Sequence, residues 1–261
     1  MKMFPTRIEI IPSTGIAEKL VAAVPTSSTL TITCLPHHGM ARTMRSALEL
    51  RDLGYDVVPH LAARALESRG QLAGIVRDCE AAGITEVFAI GGDAQQPAGP
   101  YASSLPLIED IAEHSGGRIA AGVAGYPEGH PAVGSLDLLD DLLAKQHLAA
   151  RIVTQMCFSA PDIHNYAALL QREGVHLPVW AGVAGSVPRA KLLSLATQIG
   201  VGSSMKFLGK QKTLARKLFL GDRYSPENLV TDLAGPDGAI AGIHLYSFNN
   251  VQLPGWMAGT A

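Results

Sequence analysis

Glu9 stands in the run Ile8-Glu9-Ile10-Ile11, a carboxyl set inside an apolar segment. Side chains alternate along a strand, so Glu9 points opposite to its isoleucine neighbours. If the isoleucines pack outward beneath helices, Glu9 faces the interior of a barrel, where a partly desolvated carboxyl suits general-acid work. Asp93 follows Ile90-Gly91-Gly92; paired glycines let a backbone approach a ligand closely, and a fixed carboxylate stabilises a developing cation. The loop Tyr126-Pro127-Glu128-Gly129-His130-Pro131 carries three polar side chains beside two prolines. Each of these also has a structural reading: a solvated strand-end glutamate, a Gly-Asp turn, a rigid turn that caps the next helix. The argument for chemistry is their order. Glu9, Thr33, His60, Asp93, Tyr126 with Glu128 and His130, and Gln155 each interrupt or end a successive apolar run.

The elements that would position them alternate. Short β-branched or apolar runs at 7–11, 29–33, 56–60, 86–90, 118–124, 150–155, 178–182 and 241–246 read as strands. Amphipathic stretches at 41–53, 68–82 and 161–173 read as helices, and Leu72, Ile75, Val76 and Cys79 form one apolar stripe at helical spacing. Gly54, Gly83 and Gly174 follow helices, where a left-handed cap residue is expected. Alternation implies a parallel sheet, and eight strands imply closure into a single (β/α)₈ barrel over residues 1–261. An extra helical segment at 203–222 precedes the last strand; Lys206, Lys210, Lys212, Arg216 and Lys217 make it the most basic part of the chain. It reads either as an accessory helix near an anionic ligand tail or as a solvated face. A doubly wound open sheet is the competing architecture, but Pro12-Ser13-Thr14-Gly15 after the first strand has no dinucleotide-type glycine spacing.

Composition narrows the function classes. A net charge of −2 gives no basic field for nucleic acid. No run approaches a membrane span, and Met-Lys-Met-Phe-Pro leads straight into a strand without a signal-peptide core, so a cytoplasmic protein is expected. Cys34, Cys79 and Cys157 share no metal-type spacing and read as reduced thiols. His37, His38, His60 and His130 raise a metal-dependent hydrolase as a possibility. Adjacent His37 and His38 cannot point the same way along a strand and no His-x-His occurs, so no metal is expected.

Taken together, Ile8-Glu9-Ile10-Ile11-Pro12, Pro59-His60-Leu61, Gly92-Asp93, Tyr101-Ala102-Ser103, Tyr126-Pro127-Glu128-Gly129-His130-Pro131 and Thr154-Gln155 resemble the methylenetetrahydrofolate reductases in order and spacing. His244-Leu245-Tyr246-Ser247-Phe248-Asn249 is similar to that family's last strand and its exit. The resemblance implies a (β/α)₈ barrel that reduces 5,10-methylenetetrahydrofolate to 5-methyltetrahydrofolate in one-carbon metabolism and methionine biosynthesis. It casts Glu9 as the acid that protonates folate N10, Asp93 as the carboxylate that binds the pterin and stabilises the N5 iminium, and Gln155 as an amide shared by folate and the hydride donor. Thr33, His60, Gly92, Tyr101, Ala102, Tyr126, His130, Asp137 and Gln155 match the cofactor-contacting positions. A folate-dependent methyltransferase or demethylase without redox chemistry would use the same Glu9 and Asp93.

The chain departs from the family at the basic residues that grip the diphosphate of FAD. Gly91 stands where the family has an arginine, and Leu143-Ala144 where it has an Arg-Lys pair; Lys145 is one place out of register. This favours direct hydride transfer from NADH or NADPH over a resident FAD.

Overall fold

A computed structural model describes residues 4–188, 224–235 and 238–257. Eight parallel strands close in sequence order into one barrel: β1 Thr6–Ile10, β2 Thr29–Ile32, β3 Asp56–Ala62, β4 Glu86–Ile90, β5 Ala120–Gly125, β6 Ala149–Thr154, β7 Val179–Ala184 and β8 Ile240–Tyr246. The described helices are α1 Ile16–Ala23, α2 Gly39–Asp52, α3 Arg69–Ala81, α4 Ser104–Ser115, α5 Ser135–Lys145, α6 Ala160–Arg172 and α7 Glu227–Leu233. The (β/α)₈ expectation holds, with strand ends within two residues of those read from the sequence. The basic segment expected at 203–222 lies outside the described residues. No described helix is long and apolar enough to cross a membrane.

Local sequence accounts for the elements. Ser68 and Ser159 cap α3 and α6 by accepting the N–H groups of Gln71 and Asp162. The stripe Leu72, Ile75, Val76 and Cys79 is buried against the barrel, each large apolar side chain contributing about 1.5–3 kcal/mol. Gly54, Gly83 and Gly174 all take positive φ, as helix-ending residues should.

Strand alternation sorts the side chains into an outer and an inner set. Ile8 and Ile10 of β1, Val57 and Leu61 of β3, Val87 and Ala89 of β4, and Ile243 and Leu245 of β8 join the main core beneath the helices. The residues between them turn inward and fill the barrel in layers. Towards the N-terminal ends of the strands, Arg7 and Arg151 both pair with Glu86, at 2.6 and 2.7 Å. Both guanidinium groups lie over the ring of Trp180, at 4.7 and 5.2 Å. Val58, Phe88, Val153 and Trp180 form the apolar layer above. Two glycines make room for the large rings: a Cβ at Gly242 would stand 2.7 Å from Trp180, and one at Gly182 would stand 2.2 Å from the Thr154 carbonyl and 2.8 Å from the Tyr246 ring.

All three cysteines are free and buried. Burial pushes each thiol up, Cys79 to about 12 with help from Asp78 and Glu80, so they are packing residues rather than nucleophiles.

Candidate active site

Inward alternation on β1 places Glu9 above the apolar layer with its side chain 13% exposed. Two imidazoles flank it. His244 of β8 sits with Nε2 2.9 Å from Glu9 Oε2, and His60 of β3 with Nε2 3.8 Å from the same oxygen. His60 is buried and its ring meets Phe88 edge-on at 4.8 Å. Burial, then the neighbouring His244, holds His60 well below the usual imidazole range, so it is neutral at pH 7. Tyr246 pairs in register with Glu9 across the β1–β8 seam and donates its hydroxyl to the Thr154 carbonyl at 3.1 Å. Its phenol is pushed well above 10 by burial, then by Glu9 and Tyr126.

The exit of β8 locks the exit of β1. The Ile11 N–H donates to Asn249 Oδ1 at 2.7 Å, and Asn249 Nδ2 donates to the Ile11 carbonyl at 2.9 Å. Ser247 donates its hydroxyl to the Glu9 carbonyl. Phe248 and Asn249 both take positive φ, 51° and 62°, a conformation that side-chain-bearing residues adopt at some energetic cost. The Asn249 clamp offsets that cost and fixes where Glu9 stands.

The other residues read from the sequence fall around the same mouth, at or beyond the C-terminal ends of their strands. Thr33 follows β2, buried, its N–H donating to the Ile10 carbonyl at 3.0 Å. Gly92 follows β4 with φ 85°, and a Cβ there would lie 3.2 Å from that of Ala62; it delivers the exposed Asp93 to the mouth. Tyr126 follows β5, with its ring 5.0 Å from that of His130. The Tyr126 hydroxyl is pushed up by burial, then by Asp141 and Asp93, so Asp93 and Tyr126 share one electrostatic environment. Gln155 follows β6 and its N–H donates to the Gly125 carbonyl at 2.7 Å. Met156, Phe158, Ala184, Val187 and Tyr224 build an apolar wall beside it, with Tyr246 and Phe248 packed against them.

Several of these positions also have partners within the protein. Tyr101 is 1% exposed and its hydroxyl donates to Asp110 of α4 at 2.7 Å, which spends its phenol inside the protein. Ala102 offers its carbonyl to Arg64 Nε at 3.0 Å. His130 accepts the Ala132 N–H on Nδ1, and Asp137 is exposed in the first turn of α5. At the positions matched to the family's diphosphate contacts, Gly91 has no side chain, Leu143 is half-buried and Ala144 exposed. Lys145 is buried and paired with Asp141 one turn earlier on its own helix.

His244 and Tyr246 are the members that a reading of polar strand ends misses. Their signal was alternation on β8, combined with the closure that sets β8 beside β1. Among the described residues, Glu9, His60 and His244 are the group with ligand atoms all within 4.8 Å of one another, a set of donors that fits a divalent ion as well as a proton. The histidines weighed from sequence as metal ligands are dispersed: His60 joins Glu9, while His37 and His38 lie just before α2 with their rings 4.1 Å apart and tilted.

The profile of the methylenetetrahydrofolate reductase family matches residues 17–202. The chain belongs to that family. Methylenetetrahydrofolate reductase 2 of Saccharomyces cerevisiae is 26% identical over 192 residues, which is 66% of this chain and 31% of the yeast protein. The chain thus spans about a third of the length of that relative. Among solved structures, an oxaloacetate acetylhydrolase superposes with a TM-score of 0.57 at 8% identity, over 95% of this chain and 76% of its own. 2,3-Dimethylmalate lyase, a member of the PEP mutase/isocitrate lyase superfamily, gives 0.50 at 10% identity, over 69% and 66%. At such identities the likeness is one of barrel fold alone.

Proposed function

We propose that this reductase-family barrel converts 5,10-methylenetetrahydrofolate to 5-methyltetrahydrofolate, with hydride passed directly from NADH or NADPH bound in the same mouth. The observation that carries the reading is the Glu9 carboxyl, held by His244 on β1 of the closed barrel, with Asp93 exposed beyond the end of β4.

The chemistry asks for two carboxyl groups in different states. Glu9 gives its proton to folate N10; the N10–methylene bond breaks, its electrons stay on N10, and an N5 iminium forms. The exposed Asp93 carboxylate stabilises that cation. Hydride from nicotinamide C4 then reduces the iminium to the methyl group, leaving the oxidised nicotinamide and ionised Glu9. The apolar wall of Met156, Phe158 and Tyr224 supports flat rings and limits water around the iminium. Gln155, fixed through its backbone to β5, supplies a polar contact at the rim.

The residues present do not fit a resident FAD. Its diphosphate would meet Gly91, Leu143 and Ala144 where cations are needed, and Lys145 is committed to Asp141. Each missing charge-assisted hydrogen bond is worth about 1.5–3 kcal/mol. Losing a set of them weakens binding by orders of magnitude, which a co-substrate at cellular concentration tolerates and a permanently held cofactor does not.

Freshly purified protein is therefore expected to be colourless and to oxidise NADH only when methylenetetrahydrofolate is present. Initial rates with both substrates varied should give intersecting, sequential patterns. Stoichiometric flavin absorption, or parallel ping-pong lines, would overturn the direct-transfer reading.

A further inference from the structure

The hydrogen bond between His244 and Glu9 has a geometry that selects one of the two carboxyl oxygens. His244 Nε2 lies 2.9 Å from Oε2 and His60 Nε2 lies 3.8 Å from the same atom, so both imidazoles crowd Oε2. Both contacts fall on Oε2, which leaves Oε1 clear of the two imidazoles. His244 is 1% exposed and its Nδ1 is buried with no partner among them. A buried N–H without an acceptor is destabilising, so the ring proton belongs on Nε2, where Glu9 can accept it. Thr31 and Tyr246, the register neighbours of Glu9 on β2 and β8, add no cation, and Tyr246 commits its hydroxyl to Thr154.

We propose that His244 is a positioning residue for the proton donor, a role that rests on the reaction proposed above. By donating Nε2–H to Oε2, it confines the transferable proton of Glu9 to Oε1. When the Oε1–H bond breaks and N10–H forms, the same Nε2–H holds the new carboxylate in place until solvent at the mouth returns a proton. His60, neutral and just beyond hydrogen-bond distance, blocks the carboxyl from rotating away. His244 touches neither the folate nor the nicotinamide in this scheme; it acts through Glu9.

The test compares His244→Leu with His244→Gln, since a glutamine amide carries a donor at a reach similar to Nε2. In His244→Leu, kcat should fall about 10–100-fold, the scale set by misplacing a reacting group, while the folate KM stays within about twofold. His244→Gln should recover most of the loss. In a Glu9→Gln background, His244→Leu should cost nothing further. Equal damage by Leu and Gln, a rise in KM in place of a fall in kcat, or an undiminished effect in the Glu9→Gln background would each overturn the assignment. A second readout needs no turnover: in histidine-labelled protein, His244 should show a hydrogen-bonded Nε2–H resonance that moves in Glu9→Gln. Its absence refutes the positioning role, whereas a present signal in wild-type protein that does not reduce the folate refutes the proposed reaction instead.

Discussion

Glu9→Gln is expected to cut turnover roughly 10²–10⁴-fold, the range that general acid catalysis supplies, while leaving the protein folded. Glutamine keeps the shape of the side chain and can still meet His244, but it has no proton to give to N10. Folding should survive because Ile8 and Ile10, which pack on the outer face of β1, are untouched, as are the Ser247 and Asn249 bonds to the β1 backbone. Affinity for the methyl-folate product should change little, since the pterin contacts assigned to Asp93 and Gln155 remain. Asp93→Asn should behave differently and lose both folate affinity and turnover, because it removes the charge that faces the cation. Near-normal turnover in Glu9→Gln, measured beside product binding, would take Glu9 out of the mechanism.

The second large effect concerns stability. Glu86→Ala removes the carboxylate that, among the described residues, pairs with both Arg7 and Arg151 inside the barrel, where the Arg7 and Glu86 side chains are 13% and 12% exposed and that of Arg151 is 21% exposed. Two guanidinium groups then share the Trp180 ring with no counter-charge paired to them among the described residues. Breaking a buried pair by deleting one partner costs about 3–5 kcal/mol, because the surviving charge stays desolvated. For a chain of this size that corresponds to a fall in melting temperature of about 6–20 °C. Glu86 lies beneath the Phe88 layer, away from the mouth, so kcat at low temperature should stay close to wild type. A melting curve unchanged by Glu86→Ala would show that the cluster is solvated and contributes nothing.

How far the site could be read in advance depends on what kind of information placed each residue. Glu9 was legible because a carboxyl between isoleucines has its direction set by strand alternation, and the burial of Ile8 and Ile10 confirms that direction. The barrel was legible because eight apolar runs with helical intervals have few ways to close. His244 was not, although it lies in a recognisable segment, because its importance comes from a contact across 235 positions that only the β1–β8 seam creates. Tyr101 and Lys145 show what residue type alone leaves open. Their types suit a cofactor contact, yet a local partner takes each one: Asp110 binds the phenol and Asp141 the ammonium. Sequence spacing fixes which face a side chain joins; it does not show which of several neighbours satisfies it.

Diphosphate recognition was read from missing side chains at 91, 143 and 144, a signal independent of rotamers. Lys145 is paired with Asp141 within α5, which supports the proposed lack of a diphosphate grip. Arg64, from the turn after β3, donates to the carbonyls of Ala94 and Ala102 and so braces the Gly91–Asp93 loop.

The most direct test of the account follows the hydride itself. Reduced nicotinamide carrying deuterium on the transferred face of C4 would be supplied with methylenetetrahydrofolate, and the product examined by mass spectrometry. Direct transfer predicts 5-methyltetrahydrofolate with one deuterium in its methyl group, formed as the nicotinamide is oxidised and almost absent with Glu9→Gln. Methyl-folate without the label would show that hydride passes through an exchanging carrier, and no methyl-folate at all would contradict the proposed reaction.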